Sequence, residues 1–120
     1  MKYLCLIYLD EQQMGALPAS EVDALNAGHL DLNDELRLSG HFIEAEALES
    51  STSMTTIRIR GGKTTVKDGP FAESKELVAG FYLIEAANME EAIGIASRFP
   101  SAPLARIEIW PTRQLIVEGR

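Results

Sequence analysis

Disulfides, clustered metal ligands and long apolar runs are all missing from these 120 residues. A single cysteine, Cys5, has no second thiol in the chain to bridge to. Two histidines, His29 and His41, stand apart with no His-x-x-x-His or cysteine cluster beside them, so no metal centre and no cofactor is expected. The apolar run Tyr3 to Leu9 is too short to cross a bilayer, and it meets Asp10 and Glu11 where a signal-peptide cleavage region would stand. Positive charge is scarce as well. Eleven Lys and Arg face eighteen Asp and Glu, a net charge of −7, and their dispersal along the chain gives no footprint for phosphate backbones. The expectation is a soluble cytoplasmic protein without a membrane or direct nucleic-acid partner.

What is present describes one domain spanning residues 1–120, a length that buries roughly two-thirds of the unfolded chain's surface. Residues 2–9 carry apolar side chains on both alternating faces, which describes a strand covered on two sides, with Cys5 as a small core side chain. After the loop "DEQQMGALPA", Ser20 and Asp23 give a helix start signal and Gly40 a stop. Between them Val22, Leu25, His29, Leu32 and Leu36 recur at helical spacing and share one face, so His29 points inward.

"HFIEAEALE" alternates as a strand, and "MTTIRIR", "GG", "KTTVKD" reads as a hairpin whose Gly61-Gly62 turn supplies positive φ. That turn sets Arg60 opposite Lys63, Ile57 opposite Val66 and Thr55 opposite Asp68. Asp68 therefore shares the Ile57/Val66 face, while Arg58, Arg60 and Lys67 take the other. "LVAGFYLIEA" is a second strand apolar on both faces, Asn88 and Glu91 start the helix "MEEAIGIASRF", and "ARIEIW" closes as a strand. The tail "TRQLIVEGR" adds an edge strand or crosses to a partner. The order gives an α+β fold, an antiparallel sheet with two helices on one face, and the uncovered apolar face calls for a sheet-to-sheet homodimer.

"DGPFAESKE" followed by "LVAGFYLIEAANMEEAIGIASRFP" and "IEIWP" resembles the YCII-related family, specifically its DGPF branch, over nearly the whole chain. The resemblance implies a ferredoxin-like fold that dimerises into an α/β barrel. It further implies a pocket in each subunit near the dimer interface, with a His and an Asp as the working pair at the positions of His29 and Asp68. One relative is similar to a dehydrochlorinase of aromatic degradation, and DGPF members occur near or fused to extracytoplasmic-function sigma factors.

Each candidate residue has a plainer reading beside the functional one. His29 is either a core imidazole with one backbone partner or a general acid/base near neutral pKa, oriented by Asp68. Asp68 before Gly69-Pro70 is also a good turn former, and Phe71 reads as the apolar plug of that loop and a substrate contact. Tyr8 either packs in the core or presents its hydroxyl to the same pocket. His41 reads as a rim residue, Glu73, Lys75 and Glu76 as a solvated loop face, and "RGGK" as a turn with no helix after it to hold phosphate. Two functions follow. The first is a dimeric enzyme performing metal-free proton transfer, an elimination or isomerisation of a small polar metabolite. The alternative is a ligand-binding or regulatory module whose pocket senses a metabolite or whose surface meets a sigma factor.

Overall fold

The computed structural model describes residues 1–70 and 74–120. Among them the elements run β1 (Lys2–Asp10), α1 (Glu11–Gly15), α2 (Ala19–Leu38), β2 (Phe42–Ala47), β3 (Thr55–Arg60), β4 (Lys63–Asp68), β5 (Glu76–Glu85), α3 (Met89–Ala96) and β6 (Arg106–Pro111). Four strands form one sheet in the order β2-β5-β1-β6 with every neighbouring pair antiparallel, and β3 and β4 pair only with each other. With that hairpin set aside, the chain is a β-α-β-β-α-β unit, the ferredoxin-like arrangement, and α1 is a short addition to it.

Strand alternation builds the core. Tyr3, Cys5, Ile7 and Leu9 of β1 and Tyr82 and Ile84 of β5 are buried against Leu32 and Leu36 of α2, Ala92, Ile95 and Ala96 of α3, and Phe99. The two long helices thus cover one face, as the apolar stripes require. Burial pushes the Cys5 thiol up to about 11, so it stays an inert core side chain. Leu4, Leu6, Phe81 and Leu83 alternate to the opposite face and remain half-buried, with Trp110 exposed beside Leu4.

The structure corrects the sequence reading in several places. The expected loop after β1 contains α1, because the Asp10 carboxylate accepts from the Gln12 and Gln13 amides and caps a turn of helix. Helix α2 begins at Ala19, with Pro18 at its cap, so Ser20 sits inside the first turn and caps nothing. Pro18 has the fixed φ that leads into a helix, and its carbonyl receives the Glu21 and Val22 amides. The start of α3 is as read, with the Glu91 amide donating to the Asn88 side chain. The helix closes at Ala96, three residues short of the reading, and tight turns carry the chain through Phe99 to Pro100.

The hairpin shows the expected register, including Ile57 opposite Val66 and Thr55 opposite Asp68. Its placement is different. It stands outside the sheet, all of β4 is exposed, and Ile57, Ile59 and Val66 are exposed as well. The radius of gyration, 16.8 Å, exceeds the roughly 14 Å of a compact chain of this length, consistent with a projecting hairpin and an exposed 112–120 tail. The sequence presents the basic residues as dispersed, whereas the hairpin gathers Arg58, Arg60, Lys63 and Lys67 on one face. At its end Gly69 takes φ +83, its amide donates to the Met54 carbonyl, and Thr56 donates to the Gly69 carbonyl, so the chain bends at Gly69 as β4 ends.

Beside the site the sheet is irregular. The β1–β5 register slips between Ile7 and Tyr8, and Gly80 lies so near β2 that a Cβ there would come within 2.8 Å of the Glu46 carbonyl oxygen. Only glycine fits at this approach, and it draws β2 in against the cavity described next.

Candidate functional site

Between α2 and the half of the sheet where β1 ends and β5 begins lies a cavity of about 740 Å³, within the size range of small-molecule sites. Leu25, His29, Leu30 and Asn33 of α2 line one wall, because residues three to four apart share a helical face. Ile7 and Leu9 of β1 and residues 77–82 of β5 line another, and residues 45–50 close the side.

His29 is the titratable centre of this wall. Its Nδ1 lies 2.8 Å from the Tyr82 hydroxyl and its Nε2 lies 3.1 Å from the Ser101 hydroxyl. Tyr82 and Ser101 are 3% and 4% exposed, so each hydroxyl needs a protein partner, and the imidazole supplies one to both. Phe99 stacks on Tyr82 at 4.2 Å between centroids and packs at an angle to His29, which fixes the rings. Burial lowers the His29 pKa, since no opposite charge offsets desolvation, and burial pushes the Tyr82 phenol up to about 12. Near neutral pH the group is therefore a neutral imidazole between two protonated hydroxyls.

Two tautomers satisfy this chain. In one, Ser101 donates to Nε2 while Nδ1–H donates to Tyr82. In the other, Tyr82 donates to Nδ1 while Nε2–H donates to Ser101. A proton taken up at one end and released at the other exchanges them, which is the property of a proton relay.

The sequence-derived candidates separate here. The hydrogen bond expected between His29 and Asp68 is not formed in the chain: both imidazole nitrogens are engaged by hydroxyls, and Asp68 lies exposed at the end of the outlying hairpin. The face assignment within the hairpin is right, but Ile57, Ile59 and Val66 on that face are exposed rather than packed under α2. Tyr8 does not reach the cavity either. It alternates to the open face of β1, donates to Glu108 and lies under the Arg106 guanidinium. His41 is not at the cavity rim. It bridges Ser39 and Glu91 and ties the end of α2 to α3. Glu76 opens β5 and pairs with Arg106, where a solvated loop residue was expected. Phe71 and Glu73 lie outside the described residues.

Tyr82 and Ser101 are the site residues that the sequence reading did not single out. Tyr82 had a usable signal, because on a strand with an apolar inner face a tyrosine needs a partner for its hydroxyl. Ser101, between Pro100 and Pro103, had none. It reads as a turn residue until the fold brings it against α2. Among the described residues no group of His, Cys, Asp and Glu is arranged to hold a metal ion, and no helix is long and apolar enough to cross a membrane.

The family of the YCII-related domain matches residues 1–115. The chain belongs to the YCII-related family. A relative in Rhizobium meliloti (strain 1021), described as an uncharacterized protein, is 33% identical over 102 residues, covering 85% of this chain and 82% of that one. In this YCII-related domain the ferredoxin-like sheet and the cavity under α2 are formed by the matched residues, and the hydrogen-bonded chain Ser101–His29–Tyr82 sits inside them.

Proposed function

We propose that this YCII-related protein binds a small molecule in the cavity beneath α2 and transfers a proton to or from it through the Ser101–His29–Tyr82 relay, an elimination or isomerisation without a metal. The carrying observation is His29 itself, a half-buried imidazole on a cavity wall with both nitrogens held by hydroxyls that are otherwise buried. In the tautomer with Nε2 unprotonated, Ser101 passes its proton to Nε2 as its oxygen takes one from the ligand. The products are the ligand anion and an imidazolium whose Nδ1–H remains on Tyr82. The reverse step returns the proton. A neutral imidazole is the form that accepts, and burial keeps it neutral.

A binding role without turnover is the second reading, favoured by the absence of a carboxylate among the bonded partners of His29 in the described residues, both of which are neutral hydroxyls. One experiment separates the two. Small polar fragments are screened by amide-shift NMR, and those that perturb His29, Tyr82 and Ser101 are incubated with the protein in deuterated water. Loss of a ligand C–H signal, abolished in His29→Gln while binding persists, is the expected outcome for proton transfer. Binding without exchange leaves the cavity as a sensor site.

The homodimer belongs to the same proposal. The open face carries Leu83, Leu4 and Trp110 in one cross-strand row and Phe81 and Leu6 in the next, with no helix over it among the described residues. The projecting hairpin adds exposed Ile57, Ile59 and Val66, and its basic face suits the acidic surface of a second copy in a chain of net charge −7.

A further inference from the structure

The cavity makes the site, and its charge decides what enters. This step rests on the reading of the cavity as a ligand site and concerns the class of ligand. Among the described lining residues the charged side chains are all acidic, Glu11, Glu46 and Glu49, and no Lys or Arg is present. Glu46 shares the strand parity of Phe81, which turns its side chain to the other face of the sheet, so Glu11 and Glu49 are the carboxylates that matter at the cavity.

Glu11 is fixed. Its carboxylate accepts from the Ser51 amide at 2.7 Å and the Ser51 hydroxyl at 2.9 Å, and these bonds hold its pKa below the usual range. It is an anion near neutral pH, set at the end of α1 where that helix meets the cavity.

Acceptors are also in excess at the wall. The Asn33 Oδ1 is buried with no hydrogen-bond partner among the described residues, while His29, Tyr82 and Ser101 already satisfy one another. Asn33 lines the cavity, and a small rotation of its amide brings this unpaired acceptor to a ligand that carries a donor. An anion entering here loses its hydration and meets a neutral imidazole, a fixed carboxylate and no counter-charge. An ammonium group loses less, because Glu11 and Glu49 replace part of its hydration, and the apolar Met14, Leu25 and Leu77 receive the rest of the molecule.

We propose that the cavity takes an organic amine, with its cationic head toward Glu11 and Glu49 and its apolar body against α2 and β5, and rejects carboxylates and phosphates of the same shape. Matched probes test this near neutral pH and low salt: benzylamine, benzyl alcohol and benzoate, and hexylamine, hexanol and hexanoate, each titrated at millimolar concentration against the intact protein. Amide shifts at His29, Asn33, Tyr82 and Ser101 report occupancy. The amine of each set is expected to bind at least about tenfold more tightly than its carboxylate. That advantage should shrink in raised salt and in a Glu11→Gln, Glu49→Gln double variant. Glu49→Gln alone, which touches no bond of the Ser51 turn, keeps the test valid if the double variant loses its fold. Carboxylates binding as well as the amines overturn the ligand class and leave the cavity reading standing. Silence from all six probes at these four residues overturns both.

Discussion

Phe99→Ala is expected to cost about 3–5 kcal/mol of folding stability, the range for truncating a buried aromatic, and to disorder the His29 ring as well. Phe99 is 2% exposed, one of the largest fully buried side chains, and it stacks on Tyr82 while packing against His29. Removing it opens a void behind both. A domain of this size has about 5–15 kcal/mol in total, so the variant should show a large fall in its urea midpoint with little change in slope. Phe99→Leu keeps much of the volume and should lose clearly less. If Phe99→Ala unfolds at the wild-type midpoint, the packing that fixes the relay has been misassigned.

The second large effect is a change in mass. Light scattering after size exclusion at micromolar concentration is expected to give about twice the 13.2 kDa chain mass for the wild type and the single-chain mass for Leu6→Glu. Leu6 sits in the middle of the open face, paired with Phe81 on one side and Glu108 on the other. A carboxylate there is solvated in a lone chain but is desolvated without a partner between two sheets. Unchanged circular dichroism in the variant shows that the fold survives. A wild type of single-chain mass removes the sheet-to-sheet homodimer.

How much of this was legible in the sequence depends on which interactions are local. The strands, the inward position of His29 and the hairpin register follow from periods of two and 3.6 and from the Gly61-Gly62 turn, all set within a few residues. The start of α2 was misread because Pro18 and Ser20 offer competing signals, and Pro18 prevailed. The site was legible only in part. His29 is visible as a polar residue on an apolar stripe, but its partners come from β5 and from the turn after Phe99, far along the chain. The pairing with Asp68 came from the family resemblance, with the apolar face of the hairpin as its geometric support. A face assignment does not say which other element that face meets, and this hairpin pairs with no strand of the sheet. Tyr8 failed for a simpler reason: strand parity puts it on the side away from Ile7 and Leu9, which line the cavity.

The pH dependence of stability follows from the same burial. The folded-state pKa of His29 is lowered from 6.5, so as pH falls below 6.5 the unfolded chain takes up the proton before the native one does. The contribution of the neutral imidazole is fully present above 6.5 and is lost as pH falls through that value toward the folded pKa.

The direct measurement is imidazole nitrogen NMR of His29 across pH in the wild type, Asp68→Asn and Tyr82→Phe, with His41→Ala to assign the two histidines. Because it is made on the protein in solution, it registers an Asp68 from the same chain or from a second copy. The expected result is a wild-type His29 pKa below 6.5, the same value in Asp68→Asn, and an altered tautomer balance in Tyr82→Phe, where Nδ1 has lost its hydroxyl partner. A His29 pKa above 6.5 that drops in Asp68→Asn and ignores Tyr82→Phe would contradict the relay and restore the carboxylate pair.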